Sequence, residues 1–249
     1  MSGHSKWAQI KRQKGVADAR RGQLFTKLTR EIMLAARVGG GSIDSNYQLR
    51  LVVQKAKDNN MPSDNIERAI KKGVGGTEGA NLAEVSFEGY GSNGVAVLIE
   101  TLTDNRNRTV QEIRSILTRH GGSLGKTGCV SWLFDSRGVI TVDASGADAD
   151  EVVLQAIDVG AEDVTAEGDY IEVYTEPARM EEVRQALEQN YTIVSAEISR
   201  VPKTTVMVED SKAPQVMSFL DMLEQLDDVQ HVYSNADFSE AALEGMQQA

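Results

Sequence analysis

The order of sequence patterns between Gly138 and Arg200 most strongly limits the folds open to this chain. Segments rich in β-branched residues alternate there with segments of helical periodicity. The predicted elements are strand 138–143, helix 147–159, strand 162–166, strand 170–175, helix 177–190 and strand 191–200. This β-α-β-β-α-β order is typical of a ferredoxin-like unit.

The segments on either side of this unit predict a second one when they are joined across it. They are strand 94–103, helix 109–120, strand 130–135, strand 203–208, helix 213–227 and strand 229–235, with a further strand pattern at 85–88 before them. Thr109 and Glu112 form a T-x-x-E capping box that predicts the start of the first helix. Because loops between strands tolerate insertions, we expect one ferredoxin-like domain to be inserted in the other.

Three short amphipathic helices are predicted before these units. The first begins at Gln23 and stops at the glycines 39–41, the second includes residues 47–56, and the third follows Pro62 and closes at Gly73. Short amphipathic helices bury their apolar faces only against one another or a neighbour, which predicts a three-helix bundle. The expected fold class is α+β, with domains at 1–76, 77–136 plus 203–249, and 137–202.

Charge is distributed unevenly over these regions. The whole chain has a formal net charge of −11, yet residues 1–76 have a net charge of +9 and the remainder −20. A basic segment on an acidic protein is typical of a polyanionic partner, which predicts that the N-terminal part binds nucleic acid. A protein partner on the acidic body is kept as an open alternative.

The first 20 residues predict an arm that becomes ordered when it is bound, because cations surround Trp7 without a continuous apolar stripe. Lysine and arginine neutralise phosphates, and one ring can stack on an exposed base. The candidate contacts of this region are Lys6, Trp7, Lys11, Arg12, Lys14, Arg20 and Arg21, together with Lys27, Arg30, Lys71 and Lys72 on the helices. The alternative is a basic tail that only adds solubility.

A second candidate contact precedes the capped helix, at Asn105, Arg106, Asn107 and Arg108. A helix N-terminus favours an anion, and arginine offers phosphate a bidentate fork. An equally weighted interpretation is a polar turn whose arginines pair with carboxylates.

Enzymatic chemistry finds little support in the sequence. The segment GYGSNG at 89–94 matches a phosphate-binding pattern but precedes a strand, so a glycine-rich turn is favoured over a nucleotide site. Cys129 is interpreted as a small buried hydrophobe, and the histidines suggest neither a catalytic triad nor a metal site. We expect no catalytic residue, cofactor, metal or small-molecule substrate, and, with no long apolar stretch, a cytoplasmic protein without membrane contact.

Five segments together closely resemble the YebC/PmpR family: GHSKWAQIKRQKG, FTKLTREI, DNNMPSDNIERAIKKG, FEGYGSNGVAVLIETLTDNRNRT and HGGSLGKTGCVSWLF. The resemblance implies a bacterial three-domain protein that regulates transcription by binding DNA. It also implies links to translation, through a mitochondrial translational activator and ribosomes stalled on proline-rich stretches. We therefore expect a non-enzymatic, nucleic-acid-binding regulator of gene expression; the alternatives are a ribosome-associated factor that binds rRNA or tRNA, and a nucleotide-binding enzyme.

Overall fold

The computed structural model describes residues 18–75, 82–239 and 241–242 and begins with three helices. These are α1 (Asp18–Gly39), α2 (Tyr47–Asp58) and α3 (Ser63–Val74). Their apolar faces meet in one core that includes Leu28, Leu49 and Ile66. The predicted three-helix bundle is confirmed, and α1 begins five residues before the predicted start at Gln23.

Asn46 fixes the connection between α1 and α2. Gly40, with φ of +85°, adopts the left-handed conformation that favours glycine and follows the end of α1. The buried Asn46 side chain accepts a hydrogen bond from the Leu49 backbone N–H at 3.1 Å and so caps α2. Its amide donates to the carbonyls of Ala35 and Gly40, both at 2.8 Å, which ties the start of α2 to the end of α1.

Strands and helices alternate over the rest of the chain. The elements, in chain order, are β1 (Ala83–Tyr90), β2 (Ala96–Thr103), α4 (Arg106–Arg119), β3 (Ser123–Leu124), β4 (Phe134–Asp143), α5 (Ala149–Asp158), β5 (Asp163–Glu167), β6 (Tyr170–Thr175), α6 (Met180–Glu188), β7 (Thr192–Pro202), β8 (Val206–Met207), α7 (Ala213–Glu224), β9 (Val229–Ser234) and β10 (Ala236–Asp237).

The second sheet confirms the predicted ferredoxin-like unit between Gly138 and Arg200. Its order is β5-β6-β4-β7 with every neighbouring pair antiparallel, which is the ferredoxin-like arrangement. Helices α5 and α6 place Val152, Val183 and Leu187 against Ile140 and Ile171 of the sheet. This unit lies between the two halves of the first sheet along the chain, so the α+β class with one sheet unit inserted in the other is confirmed.

The first sheet has the order β3-β1-β2-β9, with α4 and α7 packed against it. Two strand predictions were wrong here. Residues 131–133 form a short 3₁₀ helix, so the predicted strand 130–135 begins only at Phe134, as part of β4. Strand 203–208 shortens to β8, which pairs in parallel with β10 outside this sheet. The expected place of strand 203–208 beside β2 is taken by β1, because a five-residue connection makes β1 and β2 hairpin neighbours.

The predicted domain boundaries remain predictions. The ladder of β4 and β7 runs from the pair Phe134 and Pro202 to the pair Asp143 and Thr192, with a β-bulge after Thr141, so the predicted boundary after residue 136 falls inside β4. No helix within the described ranges is both long enough and apolar enough to cross a bilayer.

Candidate nucleic-acid interface

The predicted arm falls mostly outside the described residues, which begin at Asp18. Lys6, Trp7, Lys11, Arg12 and Lys14 belong to that outside part. Arg20 and Arg21 belong to the first turn of α1, where the Arg21 side chain is exposed.

Lys71 and Lys72 lie in the last turn of α3, and both are exposed. Cations at this position complement the negative end of the helix dipole. The ammonium of Lys71 lies 3.8 Å from the Glu67 carboxylate, a long and exposed pair that contributes little to stability. Lys71 can therefore reach a phosphate without first breaking a strong contact.

Lys27 and Arg30 have a different position, because Lys27 contacts the last residue of α7 and Arg30 contacts the turn that follows it. Lys27 Nζ donates to the Glu224 carbonyl at 2.6 Å, and Arg30 donates to the Asp227 carbonyl. The last carbonyls of a helix lack partners within it, and cations are favourable there. Lys27 and Arg30 thus attach the helical bundle to the first sheet unit.

Asp228 is the centre of this attachment and is 2% exposed. Its carboxylate accepts hydrogen bonds from Arg108 at 2.7 and 2.9 Å and from the hydroxyls of Thr109 at 2.7 Å and Thr103 at 3.1 Å. Arg30 contributes an ion pair at 2.8 Å. We call these five residues the Asp228 cluster.

The cluster determines the ionisation of its members. Burial alone would raise the pKa of Asp228, but the hydrogen bonds from Arg108 and Thr109 and the charge of Arg30 outweigh it and lower the pKa below its ordinary value. The same hydrogen bond from Arg108 to Asp228 raises the pKa of Arg108. Asp228 is therefore a charged carboxylate with a full set of donors.

Helix α4 begins at Arg106, so the predicted start at the Thr109 capping box was wrong. Asn105 is the N-cap, and its side-chain oxygen accepts from the Arg108 backbone N–H at 3.1 Å. The Thr109 hydroxyl is already committed to Asp228 and to the carbonyl of Asn105. Arg106 and Asn107, with exposed side chains, belong to the first turn of this helix.

The residues of the second candidate contact thus differ in their surroundings, because some are paired or capping and others are exposed. Arg108 pairs with Asp228 and with Asp104, each through bonds below 3 Å, as the carboxylate-pairing interpretation expected. Arg106 and Asn107 are exposed at the helix N-terminus and remain accessible there. As nucleic-acid contacts, all four residues stay predictions.

Asp228 is the residue that sequence reasoning missed. Asp227 is exposed and Asp228 is buried, although the two are identical in type and adjacent in sequence. Only the period of the following strand, which places Val229 in the core, hints that the preceding residue lies close to it.

The segment GYGSNG forms the connection between β1 and β2, as the favoured interpretation predicted. Residues 92–94 make a single 3₁₀ turn, in which Asn93 and Gly94 have φ of 63° and 76°. A Cβ on Gly91 would lie 2.9 Å from the ring of Phe219, so glycine is required there for close packing.

Burial, and then the charge of Glu88, raise the pKa of the Cys129 thiol, which keeps it protonated and unreactive.

The fold defines a class of α+β protein in which a basic three-helix bundle precedes two sheet units, the inserted one of which is ferredoxin-like. The chain belongs to the TACO1/YebC family. The profile of the TACO1/YebC N-terminal domain matches residues 5–76, and that of the TACO1/YebC second and third domain matches residues 82–236.

Similar proteins cover nearly the whole chain. A protein of Dehalococcoides mccartyi named "probable transcriptional regulatory protein" is 58% identical over 245 residues, 98% of each chain. One of the same name from Trichlorobacter lovleyi is 53% identical over 247 residues, 99% of this chain and 100% of that one. The crystal structure of a conserved hypothetical protein from Aquifex aeolicus superposes with a TM-score of 0.80 at 46% identity, over 90% of this chain and 93% of that one. The predicted resemblance is confirmed.

Proposed function

We propose that this protein is a non-enzymatic, nucleic-acid-binding regulator of gene expression that acts in the cytoplasm. The observation that carries the proposal is the separation of charge, +9 over residues 1–76 against −20 over the remainder. Phosphate neutralisation by lysine and arginine is the dominant source of affinity for nucleic acid. The acidic body repels the same polyanion over most of its surface, so the N-terminal part supplies most of the electrostatic attraction.

The described helices support this assignment. Arg21, Arg37, Arg50, Lys57 and Lys72 are exposed on α1, α2 and α3, where they can meet phosphates. Relatives with 50–58% identity are named probable transcriptional regulatory proteins. Duplex DNA, bound as by a transcriptional regulator, is therefore the first partner to test.

RNA within the ribosome is the second candidate, and the exposed face of α3 favours it. A helix that reads the major groove lies between two phosphate backbones and contacts base edges with its side chains. Asp64 and Glu67 lie on the exposed face of α3 among its cations, and their charge opposes such an approach. Contacts that follow RNA phosphates and unpaired bases need no recognition helix.

The proposal is tested by the salt dependence of binding to duplex DNA and to ribosomal RNA. The triple variant Lys11→Ala, Arg12→Ala, Lys14→Ala should weaken binding and lower the slope of log K against log salt by about 2–3. A matched triple, Arg179→Ala, Arg184→Ala, Lys212→Ala, removes three cations that pair with glutamates of the acidic body and should leave the slope unchanged. Absence of binding by the wild-type chain, or equal slopes for both triples, contradicts the proposal.

The two partners are separated by sedimentation of the tagged chain from cells on a sucrose gradient. Co-migration with ribosomes that persists after DNase treatment, together with weak DNA binding, assigns the protein to translation. Absence from ribosomes, together with tight and sequence-dependent binding of DNA, assigns it to transcription.

A further inference from the structure

Two aromatic side chains are exposed where β1 and the 3₁₀ helix 131–133 meet. The side chain of Trp132 is 63% exposed and that of Tyr90 is 38% exposed. An exposed tryptophan forgoes the large free energy of burial that its ring offers, and such rings are enriched at binding surfaces. The internal packing of the protein therefore does not explain why Trp132 and Tyr90 are exposed.

Both rings are held in place through one carbonyl group. Trp132 Nε1 donates to the Cys129 carbonyl at 3.0 Å, and the Tyr90 hydroxyl donates to the same oxygen at 3.1 Å. The polar atoms of the two side chains are thus satisfied within the protein, while most of the Trp132 ring remains open to solvent. Fixed rings lose little conformational entropy when a ligand binds them.

The loop that carries this carbonyl is itself built around a buried carboxylate. Glu88, 4% exposed, accepts from the backbone N–H groups of Gly128, Val130 and Ser131 at 2.7, 2.7 and 2.8 Å. Burial raises the pKa of Glu88, but these three hydrogen bonds outweigh it and leave the pKa below the ordinary value. The loop 125–131 is therefore rigid, and the charge of Glu88 is compensated inside the protein.

Close backbone contact keeps β1 and the strand β3 together beside the rings. A Cβ on Gly122 would lie 3.0 Å from the Gly91 Cα, and one on Gly89 would lie 2.7 Å from the Ser123 carbonyl oxygen. Side chains larger than glycine do not fit at these positions. Lys126 belongs to the same turn as Cys129, because its carbonyl accepts from the Cys129 N–H at 3.1 Å. We call Tyr90, Lys126 and Trp132 the aromatic platform.

The segments that carry the aromatic platform lack the acidic residues that are frequent in the rest of the body. Residues 89–99 and 113–134 contain no aspartate or glutamate, in a chain with 37 of them. Lys126 is exposed, and its carbonyl closes the turn that leads to Cys129. The next carboxylate beyond Trp132 in the sequence belongs to Asp135, which pairs with Lys203 at 3.1 Å. The platform is therefore compatible with a polyanion, whereas the acidic body around it is not.

We propose that the aromatic platform binds unpaired bases of a single-stranded nucleic acid, which stack on Trp132 and Tyr90 while Lys126 pairs with a phosphate. This inference rests on the proposed function and adds the class of ligand: bases exposed in a single strand rather than the grooves of a duplex. Stacking on a fixed ring tolerates any base sequence, because every base has a π-face.

The test uses the full chain with Trp7→Phe, which leaves Trp132 as the single tryptophan of the two in the sequence. The probes are 12-nucleotide oligo(U), 12-nucleotide oligo(dT) and a 12-base-pair duplex. We expect both single strands to quench the Trp132 fluorescence with the same midpoint as the anisotropy of the labelled probe. Trp132→Ala should weaken single-strand binding at least 5-fold and duplex binding less, and Trp132→Phe should restore most of the affinity.

Leu154→Ala is the matched control, because Leu154 is 63% exposed, as Trp132 is, but lies on α5 of the acidic body. It should leave the affinity for all three probes unchanged. Tighter binding of oligo(U) than of oligo(dT) supports the proposal with RNA as the source of the bases, and the reverse supports it with DNA.

Two failures are distinguishable. If the wild-type chain binds none of the three probes, the proposed function fails and the platform with it. If the wild-type chain binds but Trp132→Ala binds equally well, only the platform is refuted. Loss of self-association in Trp132→Ala, measured by sedimentation with nucleic-acid binding intact, would assign the surface to a protein partner and also overturn the proposal.

Discussion

The guanidinium of Arg30 lies 2.8 Å from a carboxylate oxygen of Asp228, and this ion pair joins α1 to the turn between α7 and β9. Arg108, at the start of α4, reaches the other oxygen of the same carboxylate at 2.7 Å. One buried side chain therefore connects the helical bundle to two elements of the first sheet unit. Because a buried carboxylate is stable only with such donors, the placement of the bundle on the sheet depends on Asp228.

Asp228→Asn should destabilise the protein by about 2–4 kcal/mol, since it removes the buried negative charge that Arg30 and Arg108 share. The shape of the side chain is retained, so the loss reports the charge and not a cavity. Urea unfolding followed by circular dichroism measures it.

Asp104→Asn is the control for this change, because Asp104 also pairs with Arg108 at 2.8 Å but is 56% exposed. Exposed pairs contribute less than about 1 kcal/mol. Equal losses for Asp104→Asn and Asp228→Asn would contradict a special role for the buried carboxylate.

Lys71 and Lys72 should contribute to nucleic-acid binding, whereas Lys27 and Arg30 should contribute mainly to the stability of the protein. Lys71→Ala with Lys72→Ala removes exposed cations and should weaken nucleic-acid binding and lower its salt slope by about 1–2, with little change in thermal stability. Lys27→Ala with Arg30→Ala removes contacts to α7 and to Asp228 and should lower the melting temperature with a smaller effect on the slope. Titrations over a salt series and a thermal melt of each double variant distinguish them, and a reversed pattern would contradict the assignment.

The sequence predicted the second sheet well because its six elements are contiguous and each has a clear period. The first sheet was harder, since β1 and β9 are separated by more than a hundred residues and local patterns carry no information about which strand lies beside β2. The choice between β1 and residues 203–208 was decided by the short β1–β2 connection and by the pairing of β8 with β10.

The candidate site was predictable only as far as charge and residue type allow. Lys71 and Lys27 look alike in sequence, both outside the apolar stripes of their helices. Whether such a cation faces solvent or the carbonyls of α7 depends on how the bundle sits on the sheet, which is a tertiary property. Trp132 lies in the predicted strand 130–135, and its 63% exposure depends in the same way on tertiary structure that the sequence does not show.

The stability of the aromatic platform should depend on pH through Glu88. Its folded pKa lies below the value of 4.5 expected in the unfolded chain, so its contribution is complete above about pH 4.5 and is lost as the pH falls through the folded pKa. Glu88→Gln should cost about 1–3 kcal/mol at pH 7, because an amide replaces one acceptor by a donor facing backbone N–H groups. The variant should also lose less stability than wild type between pH 5 and pH 3, as measured by urea unfolding at each pH.

Glu84→Gln is the control for that pH profile, because Glu84 belongs to the same strand and is exposed. Its profile should match that of the wild type. A wild-type-like profile for Glu88→Gln would show that the three backbone hydrogen bonds do not depend on the carboxylate charge.

Gly73 is suited to a test of how α3 packs on α1. It is buried in the last turn of α3, which ends at Val74 and not at Gly73 as predicted. A Cβ there would lie 2.9 Å from the Ala36 Cβ and 3.0 Å from the Met33 Cα, so Gly73→Ala must separate the two helices. We expect a loss of about 1–3 kcal/mol, despite the better helix propensity of alanine.

Gly22→Ala is the matched control, since Gly22 lies in α1 and a Cβ on it would have no other atom within 4 Å among the described residues. This variant should gain about 0.5–1 kcal/mol, because alanine loses less backbone entropy than glycine when a helix forms. Opposite signs in urea unfolding confirm the close contact of α1 and α3. A gain in both variants would mean that the two helices pack more loosely than the structure shows.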